Sequence, residues 1–414
     1  MKERENIYLT PLFGRLFIPF GAAYFFSRIL AGANAIISPL LVETFSLPAD
    51  TLGFMSSIYL ISFGLAQFPV GVFSDRVGAR ATLAPMLLFA AAGALVFAYS
   101  EGLTSMIISR VLIGIGFSGA LMTAFLAYAS WFPAERLPVV YSFQSLMGGL
   151  GGMAATTPVA FACEYLGWRE VYLLLAVIML ICSAMIWFVV PKNEPSLASK
   201  SESPVKQLIE MLKLFGDRRF WLVSAITNAA ESVLFAYLFL WIGPWMFDVA
   251  GLDINKAGFF MMFASAGTCL GYIGNGTLAN FFKKRGWMTW EQLYCMCGAL
   301  MAFTLFLIAV INGPAASLLW VPAMFFSTMT MISFPIARTM YSKEEIGRAL
   351  SLINFTIFVS SFIMQWFVGF VIGLFPSSGG HFAPEGYRIG IVIMAALNLA
   401  ATLFYYSGMK KRRV

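Results

Sequence analysis

Apolar residues in this chain come in long uninterrupted runs, with the polar positions gathered between them. Leu52 to Val72 and Ala81 to Ser100 are two such runs. Each is near the roughly 20 residues that an α-helix needs to cross the hydrocarbon core of a bilayer. Twelve spans are predicted, at about 16–41, 52–73, 81–100, 103–130, 138–163, 169–190, 221–246, 256–282, 290–312, 315–337, 349–374 and 387–408. The short alternating segments of a β-barrel are absent. The pattern therefore predicts an all-α integral membrane protein with twelve transmembrane helices.

Composition agrees. Of 414 residues, 60% are hydrophobic and 11% are charged, against roughly 25% charged in soluble domains. Placing both termini in the cytoplasm puts 22 of the 27 Lys and Arg on that side; Arg169, Lys256 and Arg388 face outward, and Arg28 and Arg110 lie inside spans. That bias is the usual orientation signal, so the net charge of +7 reports topology and implies no nucleic-acid partner. Met1 to Thr10 is polar and precedes a run long enough to span, so no cleavable signal peptide is expected. The five cysteines fall in apolar spans and read as small buried hydrophobes.

The longest polar stretch separates two halves. We expect a six-helix bundle over residues 1–190, a cytoplasmic linker over 191–219, and a second six-helix bundle over 220–414, the bundles being pseudo-symmetric. Within the linker, Leu208, Met211, Leu212 and Phe215 share a helical face and predict an interfacial amphipathic helix. Between spans two and three stands Gly71-Val-Phe-Ser-Asp75-Arg76-Val-Gly78-Ala-Arg80. Its charges cannot sit in lipid, so it predicts a tight charged turn at a membrane face. A degenerate copy, Gly276 to Gly286, lies 205 residues later with Asn280 opposite Asp75. Duplicated halves are how many transporters build a site at the bilayer midplane.

The pattern Gly-x-x-x-Asp-Arg-x-Gly-x-Arg resembles the loop signature of the major facilitator superfamily, which falls between that family's second and third helices. Arg110-x-x-x-Gly114-x-Gly116 in span four and Gly167-Trp168-Arg169 after span five are similar to other stretches of its bacterial members. The Gly-Pro-x-x-Gly-Gly sequence of many drug–proton antiporters is missing. The resemblance implies alternating access through a cavity lined by spans one, four, seven and ten.

Ionisable residues deep in a span are costly and mark function. Arg28 in span one and Glu231 in span seven are the base and acid nearest span centres, and the 205-residue offset places them within two residues of equivalent depth. Tyr24, Asn34, Tyr59, Asn228 and Tyr237 complete the expected substrate site. Tyr24-x-x-x-Arg28 resembles the first-helix arginine of organophosphate antiporters, although their second arginine has no counterpart in span seven. Arg28 is read as a fork for a carboxylate or phosphate, or else as the structural partner of Glu231. Glu231 is the expected proton-coupling group, and Arg110 either assists proton movement beside it or satisfies backbone carbonyls. Gly71, Asp75, Arg76, Gly78 and Arg80 are assigned to gating, and Gly243-Pro244 to a hinge in span seven. The 23 methionines include no pair at helical spacing of three or four, and no metal or cofactor is expected. Nothing assembles into a catalytic constellation, so no enzyme is expected. The sequence thus predicts a monomeric, multi-pass carrier in the inner membrane. Its expected cargo is a small anionic or zwitterionic solute moved with proton coupling, and its partners are substrate, proton and lipid. An exporter of hydrophobic or cationic compounds and a non-transporting membrane sensor are the alternatives.

Overall fold

Helices carry the chain almost from end to end in the computed structural model, which describes residues 11–133, 135–191, 204–311, 313–342, 345–378 and 381–410. In chain order they are α1 (Pro11–Phe45), α2 (Ala49–Ala98), α3 (Leu103–Phe117), α4 (Ala120–Trp131), α5 (Leu137–Ala154), α6 (Thr157–Leu166), α7 (Trp168–Val189) and α8 (Pro204–Lys213). Then come α9 (Arg218–Val233), a π-helical segment (Leu234–Trp241), α10 (Ile242–Asp248), α11 (Ile254–Lys284) and α12 (Trp290–Val310). α13 (Trp320–Met329), α14 (Ser333–Met340), α15 (Ile346–Gly373) and α16 (Pro384–Lys410) finish the set. The only strands among the described residues, β1 (Ser377–Ser378) and β2 (His381–Phe382), form a small antiparallel hairpin.

Among the described residues, ten helical stretches are each long and apolar enough to cross a membrane, and the α5–α6 pair, bent by 45°, makes an eleventh. One of the ten is the 50-residue α2, which breaks at Gly78 (φ +82°, ψ +166°) and so supplies two spans. Eleven with this division is consistent with the twelve expected. Only glycine tolerates that backbone conformation without strain. The charged segment is therefore a one-residue break between helices, tighter than the loop expected from its composition. The bend in span five was not foreseen. It falls where Pro158 removes the backbone donor that would have continued the α5 ladder.

Backbone polar groups in lipid must be satisfied inside the helices, and side-chain caps are confined to polar ends. The Asp217 carboxylate accepts from the Arg219 amide, Asp253 from the Lys256 amide, and Thr289 forms a capping box with Gln292. The Lys256 amide bond holds the exposed Asp253 carboxyl below its usual range. In the second copy of the charged turn, Gly286 takes the positive φ of +68°.

The helices group into two compact units. Unit 1 is Met1–Ala31, Ser62–Ala155 and Ala162–Ser201; unit 2 is Gly32–Ile61, Thr156–Phe161 and Glu202–Val414. α1 and α2 thus each contribute to both. The linker segment 192–203 lies outside the described residues. After it comes α8, with Met211 buried and Leu212 exposed.

Candidate functional site

In unit 1, α1 presents Tyr24 and Arg28 one turn apart. Nη2 of Arg28 donates to the Tyr24 hydroxyl at 2.7 Å, and the guanidinium carbon stands 5.1 Å from that ring's centroid. Tyr24 is buried and Arg28 half-buried. The arginine stem is held there by α5. A Cβ added at Gly151 would overlap the Phe25 carbonyl oxygen and stand 3.0 Å from the Arg28 Cβ, while one at Gly148 would overlap the Tyr24 ring. The glycine-rich stretch of span five therefore exists to let α5 lie against the backbone of α1 at the level of the arginine.

Below this pair sits a residue that the sequence reading passed over. Gln144 is fully buried; its Nε2 donates to the Phe20 carbonyl at 3.0 Å, and its Oε1 accepts from the Tyr128 hydroxyl at 2.8 Å. It locks α1, α4 and α5 together one turn before Gly148. The signal available was a single amide in an apolar, glycine-rich helix, where an unbonded polar group would be costly.

Arg110 is 1% exposed. Its Nη2 donates to the Tyr172 hydroxyl at 3.0 Å, and its guanidinium lies 4.2 Å from the centre of the Phe97 ring. It joins spans three, four and six through aromatic rings, a geometry worth about 2 kcal/mol when desolvated. At the other end of α2, Arg80 donates to the Val190 carbonyl at 3.0 Å and stacks 5.0 Å from the Trp187 ring centre. Asp75 and Arg76 are exposed and Gly71 has open space beside it.

Unit 2 holds the remaining candidates. Asn34 donates to the Ser56 hydroxyl at 3.2 Å, joining α1 to α2 one turn before the buried Tyr59. On α9, Asn228 donates to Thr356 at 3.2 Å and Ser232 to Ser360 at 3.0 Å. Both partners advance four residues together, so α9 and α15 run parallel along a polar seam. Thr227 bonds the Tyr294 hydroxyl and the Thr330 carbonyl on another face. Glu231 stands one turn beyond Thr227 and Asn228, between those two faces, and is fully buried.

Beyond Glu231 the helix widens into the π segment, where Tyr237 packs 4.8 Å from the Trp320 ring and its buried hydroxyl has no hydrogen-bond partner among the described residues. The irregularity of span seven is therefore this segment, three to ten residues beyond Glu231 where its bonding changes register, and the hinge expected at Gly243-Pro244 lies in regular helix. Gly243 has a different role: a Cβ there would overlap the Ala35 carbonyl oxygen, so it is a point of close backbone approach.

Residues 20–365 match the family model of the Major Facilitator Superfamily. The chain is 25% identical over 398 residues to the D-galactonate transporter of Escherichia coli O6:H1, covering 90% of this chain and 89% of that one. It is 22% identical over 383 residues to the hexuronate transporter of Bacillus subtilis, with 88% of each chain covered. To an uncharacterised transporter of Bacillus subtilis it is 26% identical, and there it spans 63% of the relative's length. Among solved structures, a bacterial homologue of the human lysosomal transporter Spinster in an inward-facing, unoccupied conformation superposes with a TM-score of 0.79 at 14% identity, over 96% of this chain and 97% of that one.

Proposed function

Given that this chain belongs to the major facilitator superfamily, we propose that it carries a small organic anion of the sugar-acid kind across the cytoplasmic membrane, in exchange for or together with protons. The observation that carries this reading is the Arg28–Tyr24 pair. A half-buried guanidinium, oriented by a 2.7 Å bond to a hydroxyl on its own helix, offers a planar fork that matches a carboxylate. Two relatives that align over nearly the whole chain are named for a sugar acid and a uronic acid. The positive-inside bias supports cytoplasmic termini. On that reading the Asp75–Arg80 turn works as the cytoplasmic gate and the protein acts as a monomer.

Glu231 is the proton-coupling group in this scheme. It is an acid buried mid-span on a helix whose neighbouring face is lined by Asn228, Ser232, Thr356 and Ser360, and such acids mark proton relays in transporters. Arg110, enclosed by Phe97 and Tyr172, holds spans three, four and six in register.

The test is a thermal-shift screen of purified protein with D-galactonate, D-glucuronate, neutral sugars and organic cations. A ligand at about 100 times its Kd adds roughly 2.7 kcal/mol of stability. Sugar acids should stabilise the parent and leave Arg28→Ala unshifted. Equal stabilisation of both by cations would replace the anion reading with that of an exporter.

A further inference from the structure

His381, the only histidine in the chain, sits on β2 of the small hairpin before α16. Its Nδ1 lies 2.7 Å from Oδ1 of Asp248, the last residue of α10. The histidine side chain is 67% exposed and the aspartate 5%. The other carboxylate oxygen accepts from the Tyr387 hydroxyl at 2.6 Å and from the Phe382 amide at 3.1 Å. One buried carboxylate thus fastens the hairpin and the first turn of α16 to the end of span seven, with a single exposed, titratable donor.

What the hairpin holds down is Trp241. The rings of Phe382 and Tyr387 meet its indole edge-on, at 6.4 and 6.3 Å. Its Nε1 donates to the Gln365 carbonyl at 2.9 Å. Its six-membered ring lies against two bare stretches of backbone: Cβ atoms added at Gly53 and Gly369 would stand 3.1 and 2.8 Å from Trp241 Cζ2. Within unit 2, the indole is wedged among α2, α15 and α16 at the end that carries the hairpin.

We propose that the His381–Asp248 pair is a proton-responsive strap that sets how firmly Trp241 closes this end of unit 2. With the imidazole protonated, the contact is an ion pair with a charge-assisted hydrogen bond. With it neutral, a single weaker bond remains and the hairpin is held by Tyr387 and the Phe382 amide. Histidine changes charge between about pH 5 and 8, so acid tightens the strap and mild alkali loosens it. Other titratable or charged groups also lie on the elements packed against α10. Asp253 and Lys256 at the start of α11 pair with each other at 2.9 Å; Glu385 and Arg388 lie in the first turns of α16, and Tyr237 in the π segment. The strap rests on the orientation proposed above only for which compartment's pH it reads, and its test requires no substrate.

The test is hydrogen exchange on the full-length protein in nanodiscs, where both faces meet one buffer, at pH 5.5 and pH 8.0 with intrinsic rates divided out. Protection of peptides covering 245–252 and 381–388 should fall by about threefold from pH 5.5 to 8.0, the scale of an exposed ion pair. His381→Gln should show the lower protection at both pH values. His381→Lys, charged throughout, should show pH-independent protection. Parent protection that does not change with pH, or a pH response retained in His381→Gln, would overturn the proposal.

Discussion

Nη2 of Arg28 and the hydroxyl of Tyr24 are 2.7 Å apart, joined across one turn of the same helix. The bond fixes the plane of the guanidinium before any anion arrives, so the two residues should contribute unequally. Arg28→Lys keeps the charge and loses the fork, and should weaken sugar-acid binding by at least about tenfold. Tyr24→Phe removes one neutral hydrogen bond and should cost about 1 kcal/mol, or roughly fivefold in Kd. Isothermal titration of the purified variants measures both. Larger losses from Tyr24→Phe than from Arg28→Lys would refute the fork.

Glu231→Gln should abolish accumulation driven by an imposed pH gradient while sparing substrate exchange, because exchange returns the carrier loaded and needs no net proton movement. Proteoliposomes loaded with unlabelled sugar acid separate the two activities. Undiminished gradient-driven uptake in this variant would move proton coupling to another residue.

Three glycines should respond differently to alanine. Gly243→Ala and Gly151→Ala each drive a methyl into a backbone carbonyl, of Ala35 and of Phe25 respectively, and should destabilise by about 1–3 kcal/mol. Gly71→Ala meets open space and should stay within about 0.5 kcal/mol of the parent. Thermal unfolding midpoints in one detergent rank the three.

Asp75 and Arg80 should separate stability from rate. Arg80→Ala loses the bond to the Val190 carbonyl and the Trp187 stack, and should lower stability by about 1–2 kcal/mol. Asp75→Asn alters an exposed side chain, and should slow transport while leaving the unfolding midpoint and equilibrium binding unchanged. A loss of affinity with a normal rate would contradict the gate assignment.

Cysteine labelling tests the orientation. His381→Cys should react with an impermeant maleimide from outside intact cells, and a cysteine at Lys411 only after the membrane is opened. The reverse pattern would invert every assignment of inside and outside.

Runs of apolar residues made the spans legible because hydrocarbon thickness sets a minimum length. The turn after span two was legible because Asp75, Arg76 and Arg80 cannot be desolvated together. Arg28 and Tyr24 were found together because helical spacing of four makes neighbours. The missed features depend on other parts of the chain. Gln144 bonds Phe20, 124 residues away, and His381 meets Asp248 across 133 residues. Gly243-Pro244 reads as a hinge because the pair interrupts the apolar span, whereas here the missing side chain admits the Ala35 carbonyl. The bend between α5 and α6 was hidden inside one continuous apolar run.

The π segment in span seven has a further consequence. Each i→i+5 bond places one more residue in the turn than α geometry allows, so the azimuths of Glu231 and Trp241 do not follow from the residue count between them. Drawing one residue out of the widened stretch would twist the two ends by roughly 100° relative to each other. Span seven therefore sets the carboxylate and the indole at an angle to each other that an unbroken α-helix of the same length would not give.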